Sequence, residues 1–329
     1  MKLLLLAIVL LLALAAAGPA FCRATPPPGP AGVRAAIAVE PRHALAGFGA
    51  PIRAFALPPI LQEVSAVTGV DEHTVACLQD EKGIVFLIDV RDGSVRASLP
   101  FGPDGDYEGL ARVGQDYFVL RSDGLLARVT PRSSGLAIAE SFALQTPNHD
   151  REGLCHDAAN HVLLLAPKDV VKPDAADAPD AAPEDRRRAA AERKAARDRR
   201  TLFAFDLQTS RLREEPALRL SVAELRAAAE ARGDDLPTRT DRRGGERSAL
   251  RLLFSCVAVE PRTGWIWLLS AVDRVLLAVD RDGTLQALHR LEAELLPKPE
   301  GVTFLPGGEM VLTSEGVDGP GRLVVYRRQ

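Results

Sequence analysis

Residues 106–111 read Asp-Tyr-Glu-Gly-Leu-Ala, and residues 150–155 read Asp-Arg-Glu-Gly-Leu-Cys, 44 positions later. Three other segments share the pattern of an acidic or hydroxyl residue, a small residue and an apolar run. The acidic or hydroxyl position is occupied in turn by Ser65, Glu108, Glu152, Ser255 and Glu300. Successive spacings are 43, 44, 103 and 45 residues, so only the third interval breaks the period. The pattern indicates five repeats of about 44 residues.

Each repeat contains several apolar segments of strand length, separated by short turns. Asp92-Gly93 and Asp282-Gly283 are turns that supply the positive φ of a tight hairpin. Four short strands per repeat at this period are typical of β-propeller blades. We therefore predict an all-β, five-bladed β-propeller over residues 50–329. A six-bladed ring is the alternative, but it needs a whole blade within residues 201–253, where only two strands are apparent.

The two ends of the repeat region predict how the ring closes. The last repeat stops after its third strand, at Gln329, while residues 51–57 resemble a fourth strand that precedes the first repeat. We expect this N-terminal strand to complete the last blade, which leaves no open sheet edge for aggregation. The residues before it, 25–49, are expected to form a flexible segment.

The long third interval contains two insertions. Residues 172–200 are rich in Ala, Pro, Asp and Arg and almost lack large apolar side chains, which predicts a disordered charged insertion. Its Arg-rich part, residues 186–200, is compatible with a solvated helix, and a basic tether to an anionic surface is the less favoured interpretation. In residues 221–250, Ser221 and Glu224 have the spacing of a capping box, which predicts a helical insertion on the propeller rim.

The N-terminus predicts export. Met1-Lys2 is followed by an unbroken apolar run over residues 3–17, which is typical of a cleaved secretory signal peptide at residues 1–24. The run is shorter than the roughly 20 residues that span a membrane. Lipoprotein anchoring through Cys22 is disfavoured because Phe21 precedes it, where lipoprotein signals have a small residue. We expect the mature protein to be periplasmic or extracellular, without a transmembrane span.

Composition argues against several functional classes. The net charge of -3 gives no reason to expect nucleic acid as a partner. Three cysteines follow the predicted signal peptide, an odd number that does not suit a disulfide scaffold. The sequence contains neither a Cys/His pair at zinc-ligand spacing nor a GxSxG nucleophile motif. We expect a monomer with a small-molecule or envelope ligand.

The starts of the first strands are the candidate site. In a propeller the first strand of each blade runs beside the central channel, and the strand starts gather at one mouth. We expect Glu108, Glu152 and Glu300 to converge there, with Asp106 and Asp150 two positions before two of them and on the same side of the strand. Converging carboxylates need protons, cations or hydrogen-bond donors. Calcium suits such an oxygen-rich site, so these five residues are candidate calcium ligands.

The ends of the second strands return to the same mouth and carry both signs of charge. The candidate ligand-binding residues there are Arg121, Asp123, Lys168, Asp169 and Glu315. This mixture is less typical of a pure metal cage, because the basic side chains can pair with the glutamates or hold an anionic ligand. Three interpretations stay open: a structural lock between neighbouring blades, a ligand or metal site, and a catalytic site.

The ordered series of motifs resembles the SdiA-regulated, YjiK-like propeller family. The segments that carry the resemblance are Asp106-Tyr-Glu-Gly-Leu-Ala, Leu120-Arg-Ser-Asp-Gly, Asp150-Arg-Glu-Gly-Leu-Cys, Val257-Ala-Val-Glu-Pro-Arg-Thr-Gly and Pro299-Glu-Gly-Val-Thr-Phe. It covers residue 58 to the C-terminus, except residues 172–200. The resemblance implies an exported or envelope-associated propeller, similar in shape to calcium-dependent lactonases and phytase-like propellers. Ala66 and Cys256 depart from the family pattern at a position that concerns packing more than chemistry.

These observations predict a binding or interaction module of the SdiA-regulated type, with calcium as the candidate cofactor at the channel mouth. The alternative is a calcium-dependent hydrolase, either a lactonase or a phytase-like phosphoesterase, whose carboxylates hold the metal and act as general bases. A metal open to water in the channel favours the hydrolase. Glutamates neutralised by Arg121 and Lys168 favour binding or a structural role.

Overall fold

Five small antiparallel sheets surround one axis in the computed structural model, which describes residues 36–133, 135–168, 183–240 and 244–329. Each sheet is a blade. Its first strand lies innermost and contacts the first strands of the two neighbouring blades. The prediction of a five-bladed β-propeller is confirmed, and the six-bladed alternative is wrong. The predicted signal peptide, residues 1–24, lies outside the described residues.

The strands of the first two blades follow the predicted repeats. The chain begins its sheets with β1 (Arg53–Ala56). Blade 1 consists of β2 (Val64–Gly69), β3 (Thr74–Gln79), β4 (Ile84–Asp89) and β5 (Ser94–Pro100). Blade 2 consists of β6 (Tyr107–Val113), β7 (Asp116–Arg121), β8 (Leu125–Arg132) and β9 (Gly135–Ala143).

Blade 3 carries the insertions between and after its strands. Its elements are β10 (Arg151–Asp157), β11 (Val162–Pro167), α1 (Pro183–Asp198), β12 (Arg199–Asp206), β13 (Arg211–Leu212) and β14 (Leu218–Ser221). Both β13 and β14 pair with β12, so two short strands share the place of a fourth strand. The chain then forms α2 (Val222–Arg232) and a hairpin of β15 (Thr238–Thr240) and β16 (Glu246–Ser248).

Blades 4 and 5 complete the ring. Blade 4 consists of β17 (Cys256–Val259), β18 (Ile266–Ser270), β19 (Val275–Val279) and β20 (Leu285–Arg290). Blade 5 contains β21 (Lys298–Phe304), β22 (Met310–Glu315) and β23 (Arg322–Tyr326). β1 pairs with β23, with Arg53 opposite Val325, so the predicted closure of the last blade by the N-terminal strand is confirmed.

The structure describes part of each predicted insertion. Of the segment predicted to be disordered, residues 172–200, the structure describes 183–200, and these residues form α1 and the start of β12. The strand begins at Arg199, and the buried Arg200 donates a hydrogen bond from its guanidinium to the carbonyl oxygen of Leu252 at 2.5 Å. The helix predicted in residues 221–250 is present as α2, and the hydroxyl of Ser221 accepts a hydrogen bond from the amide of Glu224.

Apolar side chains fill the gaps between neighbouring blades and form the core. The gap between blades 4 and 5 also receives Leu45 and Phe48, which belong to the segment that the sequence predicted to be flexible. The ring of Phe48 packs edge-on against Trp267, with 5.7 Å between the ring centroids. The described part of that segment, residues 36–49, is therefore attached to the propeller by burial of apolar side chains.

Close approach of adjacent blades explains the glycine in the repeat motifs of blades 2 and 5. A Cβ atom at Gly109 would lie 2.7 Å from the carbonyl oxygen of Glu152 on the next blade. A Cβ atom at Gly301 would lie 2.6 Å from a methyl carbon of Val67 on blade 1. Larger residues at these points would separate the innermost strands.

In the part of the chain that the structure describes, no helix has the length and apolar character that a bilayer span needs.

Candidate functional site at the channel mouth

A β-bulge marks the start of four of the five innermost strands. In β6, Tyr107 pairs with Arg121 and Gly109 pairs with Leu120, so Glu108 is the extra residue between them. The same shift of register occurs at Ser65, Glu152 and Glu300. A bulge leaves one residue unpaired and re-aims its side chain. The acidic position of the repeat is therefore the bulge position, where simple strand alternation no longer applies.

The serines at this position connect neighbouring blades. Ser65 on blade 1 donates a hydrogen bond of 2.7 Å to the carbonyl oxygen of Tyr107 on blade 2. Ser255 on blade 4 donates in the same way to the carbonyl oxygen of Pro299 on blade 5, at 3.2 Å. Both accepting residues immediately precede a bulge glutamate. The structural lock considered from the sequence therefore exists, but the serines form it.

The three glutamates converge, as predicted, and influence one another. Burial raises the pKa of Glu108 to about 9, and the negative charges of Glu152, Asp106 and Glu300 add to this effect. Burial also raises the pKa of Glu152 to about 8, with Glu300 and Asp150 contributing in the same direction. Burial raises the pKa of Glu300 despite its basic neighbours. Three blades thus contribute carboxyl groups to one poorly solvated place.

Two lysines compensate part of this charge. Lys168, which follows β11, donates a charge-assisted hydrogen bond to Oε1 of Glu152. Lys298, at the start of β21, lies 3.4 Å from Oε1 of Glu300 and forms an ion pair with Glu315 as well. Glu152 and Glu300 therefore each have an ammonium partner. Glu108, in contrast, has no hydrogen-bond or ion-pair partner for its carboxyl group among the described residues.

The remaining predicted site residues lie around the rim of the mouth. Asp106 is exposed and accepts a hydrogen bond from the hydroxyl of Ser122. Asp150 is half-buried and contributes to the electrostatic environment of Glu152 and Lys168.

The two predicted rim residues Arg121 and Asp123 pair with each other. The guanidinium of Arg121 lies 2.7 Å from the carboxylate of Asp123, so Arg121 does not neutralise a bulge glutamate. Its Nε is buried without a hydrogen-bond partner among the described atoms. Asp169, also predicted to bind the ligand, lies outside the described residues. Of the two basic residues that the sequence analysis singled out, only Lys168 pairs with a bulge glutamate.

Sequence reasoning missed one member of the cluster, Lys298. It stands two positions before Glu300, where the corresponding residues of blades 2 and 3 are Asp106 and Asp150. Aligning that position across the five repeats shows the change of sign and could have predicted the ion pair. Lys298 does not fit the pattern of carboxylates at this position because its charge is opposite.

The described residues do not fit a calcium site. Calcium takes six to eight oxygen ligands, and most of them must be free to turn toward the ion. Glu152 and Glu300 are already bonded to lysines, and Asp106 accepts from Ser122. Among the residues that the structure describes, no group of three or more His, Cys, Asp or Glu side chains is arranged to hold a metal. The calcium site stays a prediction, and the lysines count against it.

Comparison with known proteins supports the architecture. No protein-family model and no curated protein matches the sequence. Among solved structures, the chain is similar to a glutaminyl cyclase from Myxococcus xanthus, with 13% identity over 84% of this chain and 94% of that one, at a TM-score of 0.50. The chain is a five-bladed β-propeller. At this identity the likeness shows the fold alone, so resemblance to the SdiA-regulated family stays a prediction.

Two further solved structures are more distant. A streptogramin B lyase has 10% identity over 84% of this chain and 86% of that chain, with a TM-score of 0.43. The β-propeller domain of Swd1 from Myceliophteria thermophila has 12% identity over 81% of this chain and 96% of that domain, with a TM-score of 0.41.

Proposed function

We propose that this propeller is an exported binding module of the SdiA-regulated type, and that its ligand site is the channel mouth. One observation carries the proposal: the carboxyl group of Glu108 lies among the converging glutamates and has no hydrogen-bond or ion-pair partner among the described residues. The side chain is half-buried, so its carboxyl group stays within reach of a ligand at the mouth, while burial already raises its pKa. A polar group of a ligand would provide the missing partner.

The rim supports a ligand that also has an apolar part. Val317 and Ile60 are exposed by 56% and 47%, and they belong to two segments beside the mouth. These segments are tied together, since the amide of Gly316 donates to the carbonyl oxygen of Gln62 at 2.9 Å. Glu315, next in the chain to Gly316, carries the ion pair with Lys298. A polar centre beside apolar rim residues is typical of small-molecule sites.

Ligand-observed NMR with a library of small polar metabolites and short oligosaccharides tests this function. Compounds that bind the wild-type protein should lose most of their signal with Glu108→Gln, because the substitution replaces the acidic hydroxyl or carboxylate with an amide. Glu214→Gln, on an exposed outer loop of blade 3, is the matched control and should bind as the wild type does. Binding that is equal in all three proteins would place the ligand elsewhere.

A hydrolase acting on a lactone or a phosphoester is the second candidate, and a different property of Glu108 favours it. With its pKa raised to about 9, this carboxyl group would hold a proton at neutral pH and could donate it to a leaving group. The likeness in fold to a glutaminyl cyclase is compatible with an enzyme, although it assigns no reaction. Turnover of a lactone or phosphoester panel that disappears with Glu108→Gln would favour this candidate over simple binding.

A further inference from the structure

The two lysines of the mouth have backbones anchored by hydrogen bonds. The amide of Lys168 donates to the carbonyl oxygen of Asp150 at 3.1 Å. The amide of Lys298 donates to the hydroxyl oxygen of Ser314 at 3.0 Å. Both side chains then reach a bulge glutamate of their own blade. The backbone hydrogen bonds thus fix where each side chain begins, and the ion pairs place each ammonium group beside a glutamate.

Lys168 is the more central of the two. Only 27% of its side chain is exposed, against 44% for Lys298. Burial by itself lowers the pKa of Lys168. The negative charges of Glu152, Glu300 and Asp150 raise it by more than burial lowers it, so the net shift is upward. Lys168 also stabilises the charged form of Glu108. Its ammonium group therefore acts on glutamates from blades 2, 3 and 5.

A divalent cation bound between these glutamates would also neutralise their negative charge, as the ammonium group of Lys168 does. Carboxylates that converge in a poorly solvated place require a nearby positive charge. A metal ion near the ammonium group of Lys168 would be repelled by it, and it would have to displace that group from Glu152. The lysine and the metal are therefore alternatives for the same carboxylates.

We propose that Lys168 is a built-in counter-ion that takes the place of a divalent cation at the channel mouth. The mouth then binds its ligand without a metal, and the identity of residue 168 determines whether Glu152, together with Glu108, is available to hold calcium. The statement that the mouth binds its ligand without a metal rests on the proposed function. The statement about calcium can be tested separately.

Calorimetric titration with calcium chloride, after removal of metals by a chelator, tests the inference. The wild-type protein should release no binding heat at submillimolar calcium. Lys168→Met, which keeps the length of the side chain without its charge, should bind calcium about tenfold or more tightly than the wild type. Adding Glu152→Gln to that variant should remove the gained binding. Lys82→Met, which breaks an exposed ion pair with Asp104, is the control and should gain nothing.

Circular dichroism monitors folding, and Lys168→Gln is a second variant in case the methionine is not tolerated. Calcium binding by the wild-type protein would overturn the inference without any variant. Folded Lys168 variants that gain no calcium affinity would also overturn it. Neither result depends on the metabolite screen, so failure to find a small ligand would contradict only the proposed function.

Discussion

The hydroxyl of Ser65 donates a hydrogen bond of 2.7 Å to the carbonyl oxygen of Tyr107, the residue that precedes the bulge at Glu108. The contact joins blade 1 to blade 2 directly beside the site. Ser255 makes the corresponding contact between blades 4 and 5. The repeat position that supplies carboxyl groups on three blades thus supplies connections between blades on the other two.

Replacing Ser65 with alanine should destabilise the propeller. The side chain is buried. Its replacement removes a hydrogen bond and leaves the carbonyl oxygen of Tyr107 facing a methyl group that cannot donate, which costs about 1–2 kcal/mol. Urea denaturation measures the change in the free energy of unfolding. Ser98→Ala, on an exposed part of β5, is the control and should change it little. Equal effects of the two substitutions would mean that the contact between blades contributes nothing specific.

The pH dependence of stability should reveal Glu108. Its pKa is about 9 in the folded protein against an ordinary value of 4.5, so between these values the folded state keeps a proton that the unfolded state has lost. Wild-type stability should therefore fall as pH rises through this window. Glu108→Gln should remove that contribution and be more stable than the wild type by on the order of 1 to 3 kcal/mol near pH 8. Denaturation curves from about pH 5 to about pH 9 measure the difference.

Glu214→Gln provides the control for that series, because Glu214 is exposed on an outer loop. Its stability should parallel that of the wild type at every pH. A Glu108→Gln protein that also parallels the wild type would show that the carboxyl group titrates normally in the fold.

The ion pair between Asp157 and Arg281 should contribute to the contact between blades 3 and 4. The carboxylate of Asp157 is almost completely buried, and Arg281 and Asn160 hold its pKa below the ordinary value although burial opposes this. Arg281→Met should cost about 1–3 kcal/mol, since it leaves a buried carboxylate without its cation. A double-mutant cycle with Asp157→Asn measures the coupling energy between the two side chains, and additive losses would contradict it.

The same pair should make stability depend on pH. Because the pKa of Asp157 is lower in the folded state than in the unfolded state, the contribution of the pair should be lost as pH falls through the folded-state value.

The cysteine thiols should not react in the native protein. Cys77, Cys155 and Cys256 are free. Cys77 and Cys256 are buried and Cys155 is half-buried, and burial raises the pKa of each, with that of Cys256 reaching about 11. The thiolate is the reactive form, so a thiol reagent should modify none of them until the fold opens. Absorbance after addition of a disulfide reagent, with and without denaturant, measures this in protein that begins at residue 25. Rapid reaction without denaturant would show that a blade opens easily.

Chelation of metals should leave the stability unchanged. If Lys168 and Lys298 neutralise the glutamates, the melting temperature should be the same with a chelator and with added calcium. Differential scanning calorimetry makes the comparison. A marked fall in the chelator would indicate a bound metal that stabilises the folded state.

Local patterns in the sequence were sufficient to predict the architecture. The period of the acidic motif, the hairpin turns and the incomplete last repeat predicted five blades and closure by residues 51–57, because strand length and turn geometry depend on neighbours in the chain. The same reasoning predicted that Glu108, Glu152 and Glu300 meet at one mouth. Within residues 183–200 the sequence was compatible with a solvated helix in the Arg-rich part, but it did not predict the buried Arg200, because that burial depends on contacts with a distant segment, residues 251–252.

The chemical character of the mouth was decided only by the tertiary structure. The repeat motif by itself determined that serine or glutamate stands at the start of each innermost strand. Which of them joins two blades, which pairs with a lysine and which stays without a partner depends on groups that lie on different strands and blades. Hydrogen bonds and ion pairs act over a few ångströms in space, while the partners are 16 residues apart in the chain for Lys168 and Glu152 and 42 for Ser65 and Tyr107. Of these contacts, only the ion pair between Lys298 and Glu300, two positions apart, lies within the local pattern.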